Sequence, residues 1–72
     1  MTLPELATAL RDAVNGASEG EVVVSIHLFG IKHERDLRNV PLKALVSAAR
    51  IHASYVTEIR KGMNLAQYVT LR

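Results

Sequence analysis

Five polar side chains near the C-terminal end have types that suit contacts with nucleic acid. Their hydroxyl, carboxylate and ammonium groups can hydrogen-bond to phosphates or to the edges of bases. A helix would bring them close to one exposed face, at Ser54, Tyr55, Thr57, Glu58 and Lys61. A lysine neutralises phosphate charge, and a glutamate accepts a hydrogen bond from cytosine N4. The stretch therefore predicts a nucleic-acid contact.

Other kinds of chemistry find little support in this chain. The histidines, His27, His33 and His52, are never spaced as a pair on one helix face, and there is no cysteine to complete a metal site. There is no serine–histidine–aspartate order, glycine-rich phosphate loop or paired-carboxylate cleft. We therefore expect no enzyme, no cofactor, no metal and no small-molecule substrate.

Length and composition predict one small folded domain over residues 1–72. Hydrophobic residues make up 49% of the 72 positions, which is ample for a core and argues against disorder. The chain lacks cysteine, so packing or self-association must stabilise it. No signal peptide and no apolar stretch long enough to cross a bilayer is visible, so we expect a cytoplasmic protein without a membrane contact.

Positive charge is concentrated in the C-terminal part of the chain. The net charge is +2 overall, but residues 41–72 carry five basic side chains and a single acidic one, Glu58. The basic part coincides with the polar stretch, as binding to phosphates requires.

The first element predicted is a helix over residues 2–15. Thr2 suits the N-cap, and Pro4 and Glu5 suit the first turn. Apolar residues recur every three or four positions, at Leu3, Leu6, Leu10 and Val14.

Residues 21–39 fit two descriptions. Alternation and β-branched residues over 22–29 favour a strand, whose only partner would be residues 68–71. A continuous helix over about residues 21–38, with Gly30 as a candidate break, would instead have one apolar face, formed by Val22, Ile26, Phe29, His33 and Leu37. We favour the helix because a lone strand has little to pair with, and keep the two-stranded pairing as the alternative.

Residues 41–62 predict two helices joined by a tight turn. The first covers 42–49 after Pro41 and buries Leu42, Leu45, Val46 and Ala49. A turn follows over 50–53, and the second helix runs from Ser54 as N-cap to Lys61, with Val56 and Ile59 facing inward. Gly62 would stop it, and Asn64 would cap one more short turn. The whole chain is thus predicted to be a small, mainly α bundle of four to five helices.

This stretch resembles the helix-turn-helix of the Cro and phage-repressor (lambda-repressor-like) type. The matching residues are Leu45-Val46, Ala49-Arg50, Ile51, Ser54, Val56, Ile59 and Gly62, and they span about a third of the chain at most. Val46 stands where that family has a small alanine. Arg50 stands where a glycine usually adopts a left-handed conformation, which costs a non-glycine residue about 1 kcal/mol.

The resemblance implies a DNA-binding protein, and we expect a transcriptional regulator that uses helix 54–61 for recognition. Ala53, Ser54, Tyr55 and Glu58 would meet bases or nearby phosphates, and Lys43 and Lys61 would lie beside the DNA backbone. The expected surface comprises Lys43, Ala53, Ser54, Tyr55, Thr57, Glu58, Lys61 and Asn64. Such a small module binds weakly alone, so we expect a homodimer, with residues 22–31 as the contact face. The alternative is a protein-interaction module or adaptor that uses the apolar segment 22–31 and does not bind DNA.

Overall fold

The computed structural model describes residues 1–71 and shows a bundle of helices. Within those residues there are five helices and no strand: α1 (Leu3–Asn15), α2 (Val22–Lys32), α3 (Glu34–Leu37), α4 (Leu42–Ala48) and α5 (Tyr55–Leu65). The predicted mainly α fold is confirmed, and the alternative strand over 22–29 is wrong. None of the helices in this part of the chain is long and apolar enough to cross a membrane.

Helix α1 begins with a reciprocal pair of hydrogen bonds. The Thr2 hydroxyl accepts from the Glu5 backbone N–H at 3.3 Å, and the Glu5 carboxylate accepts from the Thr2 N–H at 2.8 Å. This capping box satisfies two N–H groups that the start of a helix leaves without partners. The bonds to Thr2 also hold the pKa of Glu5 below its ordinary value. The N-cap predicted at Thr2 is confirmed.

Helix α2 forms because a helix, not a strand, can bury its apolar side chains. Ile26 and Phe29 are three positions apart, and both lie in the core. A strand would have placed these two residues on opposite faces of an almost unpaired ribbon. The helix continues through Gly30 to Lys32, and α3 begins at Glu34, so the predicted continuous helix is broken at His33 and not at the candidate break, Gly30.

Two glycines set the distance between α2 and α5, the helices with the most extensive contact. A Cβ on Gly62 would lie 2.4 Å from the His27 carbonyl oxygen, and one on Gly30 would lie 2.6 Å from the Ile59 carbonyl oxygen. The two backbones therefore touch where the helices cross. The prediction that Gly62 ends the second helix is wrong, since α5 runs on to Leu65 and includes Asn64.

The core lies between four helices: α1, α2, α4 and α5. Its fully buried side chains come from every helix: Leu6, Leu10, Ile26, Leu37, Leu45, Val46 and Ile59. The inward face predicted for α4 is confirmed, because Leu42 and Ala49 are buried as well. This core holds α5 by one side and leaves its other side on the surface.

Candidate nucleic-acid interface

Helices α4 and α5 are joined by a turn of the kind found at helix C-termini. The Arg50 N–H donates to the Ser47 carbonyl at 3.0 Å, and the Ile51 N–H donates to the Val46 carbonyl at 3.2 Å. This is the Schellman pattern, in which the residue directly after the C-cap has a left-handed backbone conformation. Arg50 supplies it with a φ of 60°, so the expected conformation is confirmed. The turn reverses the chain tightly enough for Ile51 to pack on the core.

Arg11 fixes this turn to α1. Its guanidinium donates a hydrogen bond of 3.1 Å to the Ala49 carbonyl, one of the carbonyls that the end of α4 leaves free. The positive charge also lies at the negative end of that helix. No local pattern in the sequence indicates this contact, because the two residues are 38 positions apart.

The start of α5 is held by a short polar network. His52 Nδ1 accepts from the Ser54 backbone N–H at 3.1 Å and lies 2.8 Å from the Ser54 hydroxyl. Ser54 occupies the N-cap position as predicted, but its side chain makes no capping bond to the helix, and its backbone is already helical. Both side chains are exposed at the end of the turn.

Helix α5 has one buried side and one polar side. Ile59 and Gly62 are buried, while Val56 and Met63 pack against the core. The exposed polar residues recur at spacings of three and four, at Thr57, Arg60, Lys61 and Asn64, and the apolar Leu65 is exposed at the end of the helix. We call these four residues the outer face of α5. It combines two cations with a hydroxyl and an amide.

Glu58 is turned away from that face and towards α2. Its carboxylate accepts a hydrogen bond of 2.7 Å from His27 Nε2, and Lys61 Nζ lies 3.5 Å away. The bond to His27, more than the charge of Lys61, lowers the pKa of Glu58 from its ordinary value of 4.5. Glu58, the only acidic residue in positions 41–71, thus pairs with Lys61 as well as with His27. Among the described residues, Arg60 is the cation of the outer face that has no ion-pair partner.

The structure separates the eight residues predicted to contact DNA into two groups. Six are exposed: Lys43, Ala53, Ser54, Thr57, Lys61 and Asn64. Of these, Thr57, Lys61 and Asn64 share one side of α5, Ala53 and Ser54 precede it in the turn, and Lys43 stands on α4. The other two, Tyr55 and Glu58, are partly buried, and Tyr55 packs against the core.

Two exposed arginines belong beside the predicted set. Arg60 shares the outer face of α5, and Arg50 occupies the turn. The spacing of Arg60 from Thr57 and Asn64 was a usable signal in the sequence. No signal in the sequence indicates that His27 contacts Glu58, since this contact depends on how α2 crosses α5.

The geometry is that of a helix-turn-helix: a first helix, α4, a tight turn, and a second helix, α5, with one polar side on the surface. A family model of HTH-like domains matches residues 2–72. The chain therefore belongs to the HTH-like domain family. Comparisons with curated proteins and with solved structures found no match.

Proposed function

We propose that this protein binds double-stranded DNA with the outer face of α5 and acts as a regulator of transcription. The observation that carries the proposal is the composition of that face. It presents Arg60 and Lys61 for phosphates and Thr57 and Asn64 for hydrogen bonds to bases or backbone, with no acidic side chain among them.

The surroundings of α5 extend the same surface. Arg50 and Ser54 lie in the turn that precedes the helix, where recognition helices approach the DNA most closely. The Cro-type resemblance supports placing Ser54 at the bases, and Arg50 in the left-handed position fits that turn. Glu58, held against α2 by His27, contributes to the shape of the site rather than to base contacts.

A second candidate function is protein binding without DNA. It is favoured by exposed apolar residues on α2, where Val24 and Leu28 are 50% and 46% accessible to solvent. Salt separates the two functions, because phosphate contacts weaken steeply as salt rises and apolar contacts do not.

The test is the salt dependence of binding to random-sequence duplex DNA, with dilute labelled protein and DNA in excess. Replacing Lys61 by Ala should weaken binding and lower the slope of log affinity against log salt by about 1. The matched control is Arg35→Ala, which removes the same charge from an exposed residue of α3. We expect its slope to equal that of the wild type.

Two results would count against the proposal. One is the absence of binding at low salt, where attraction to phosphates is strongest. The other is an equal loss of slope in Lys61→Ala and Arg35→Ala, which would mean that net charge matters and the outer face of α5 does not.

A further inference from the structure

Helix α2 has three sides, and one of them faces solvent. Ile26 and Phe29 enter the core, and His27 and Gly30 contact α5. On the remaining side, Val24 and Leu28 are about half exposed, four positions apart. Leu71, also exposed, lies beside Leu28 in a groove between α1 and α2. Exposed apolar residues that adjoin one another in this way make this side a candidate contact surface.

The two ends of this apolar side carry opposite charges. Glu21 precedes Val24 by three residues, and Lys32 follows Leu28 by four, so all four positions fall on one side of the helix. We call Glu21, Val24, Leu28 and Lys32 the outer face of α2. Within residues 1–71, neither Glu21 nor Lys32 has an ion-pair partner.

That order of residues is complementary to itself in one orientation only. If a second copy of the face is laid antiparallel, Glu21 of each copy meets Lys32 of the other, while the apolar residues meet in the middle. A parallel pairing would bring like charges together at both ends. The helix dipoles also favour the antiparallel arrangement.

We propose that the outer face of α2 pairs antiparallel with the same face of a second copy of this chain, about a two-fold axis. The contact is isologous, so each residue is used twice. The pairing needs no DNA and does not depend on the proposed function.

The pairing also determines where the two copies of α5 lie in the dimer, and the use of that arrangement in DNA recognition rests on the proposed function. The two-fold axis of an antiparallel helix pair is perpendicular to both helix axes and lies in the plane where the two helices touch. Rotation about this axis exchanges the two copies. An element that lies on one flank of α2 in the first copy therefore lies on the same side of the helix pair in the second copy. Because α5 contacts one flank of α2, through His27 and Gly30, both copies of α5 emerge on the same side of the dimer. A dimer that reads two half-sites on one duplex requires this.

The size of the face sets the expected strength. A stable interface buries about 800 Å² per partner, which is roughly a sixth of the 4902 Å² surface of this chain. One side of an 11-residue helix, with the neighbouring groove, offers less than that. We therefore expect a dimer that dissociates in the micromolar range.

The first test is sedimentation of the full chain from low micromolar to millimolar concentration, without DNA. Wild-type protein should shift from monomer to dimer, and Leu28→Glu should weaken association by at least about tenfold, because it buries a charge at the centre of the contact. The control is Val69→Glu, which changes a residue that is 44% exposed outside α2 and should dimerise as the wild type does. Circular dichroism confirms that both variants are folded.

The second test exchanges the charges at the two ends. Glu21→Lys and Lys32→Glu should each weaken the dimer by about tenfold, since each places two like-charged pairs in the contact. The double variant should associate as the wild type does. A double variant no better than the single ones would overturn the antiparallel pairing.

A wild-type protein that stays monomeric at millimolar concentration would overturn the dimer, and association with a different protein would then be the remaining use of this face. Equal loss of association in Leu28→Glu and Val69→Glu would overturn it as well. Neither result bears on DNA binding, which the salt titration measures on the monomer. Failure of that titration, in turn, leaves the sedimentation result intact.

Discussion

Helices α2 and α5 have the same length, 11 residues, and pack against each other at a pair of glycines, yet they present opposite surfaces. The outer face of α2 is apolar with a charge at each end. The outer face of α5 is polar and basic. The contact between the two helices is determined by shape, through Gly30 and Gly62, whereas their outward faces are free to differ in chemistry.

A substitution that disturbs the crossing of α2 and α5 should reduce the stability of the protein more than any other considered below. Gly62→Ala would place a methyl group 2.4 Å from the His27 carbonyl oxygen, and a backbone atom cannot rotate away as a side chain can. We expect a loss of about 3 kcal/mol in the free energy of unfolding. Chemical denaturation followed by circular dichroism measures it.

Gly16→Ala is the control for that substitution. Gly16 follows α1 with a φ of −85°, and it is exposed. We expect a change below about 1 kcal/mol. If both alanine variants were equally stable, close approach of the helices would not explain the glycine at position 62.

Replacing Arg50 should change stability and DNA binding in opposite directions. Its φ of 60° suits glycine better, so Arg50→Gly should raise stability by about 1 kcal/mol. That corresponds to about 4–8 °C in Tm for a domain of this size. Loss of the charge should at the same time weaken binding to random-sequence DNA. Thermal unfolding and the salt titration measure the two effects separately.

Arg60→Gly is the matched control for Arg50→Gly. It removes the same charge but places glycine inside α5, where it should lower stability by roughly 1 kcal/mol. Equal changes in Tm for the two variants would contradict the role of the left-handed conformation.

The pair between His27 and Glu58 predicts a smaller effect that depends on pH. The bond from His27 lowers the pKa of Glu58 below 4.5, so the folded state favours the ionised carboxylate. Its contribution to stability is therefore complete above about pH 4.5 and is lost as the pH falls through the lowered pKa. Glu58→Gln should be less stable than wild type at neutral pH, and the difference should shrink below pH 4.5. Tm measured against pH tests this, and a constant difference would contradict it.

Local patterns were enough to predict most of the fold. The capping position of α1 and the buried side of α4 follow from spacing and residue type, and the left-handed turn at Arg50 follows from the resemblance to the Cro type. Each is confirmed. These features depend on residues that are close in the sequence. The overall helical fold was accessible for the same reason.

The features that the sequence did not predict depend on how distant elements meet. Gly30 and Gly62 look like helix breaks in isolation, and only the crossing of α2 and α5 shows why both lie inside helices. Glu58 looks like an exposed group on a recognition helix until His27 is placed 2.7 Å from it. The eight residues predicted to contact DNA stay a prediction, with Tyr55 and Glu58 the least exposed among them.

DNA binding by α5 is tested most directly by an amide NMR map of the protein titrated with random-sequence duplex DNA at low and moderate salt. We expect salt-sensitive shifts along the outer face of α5 and in the turn at Arg50 to Ser54, with the outer face of α2 unaffected at concentrations where the protein is monomeric. Shifts confined to the outer face of α2, or none at low salt, would contradict the assignment of α5 as the DNA-binding helix.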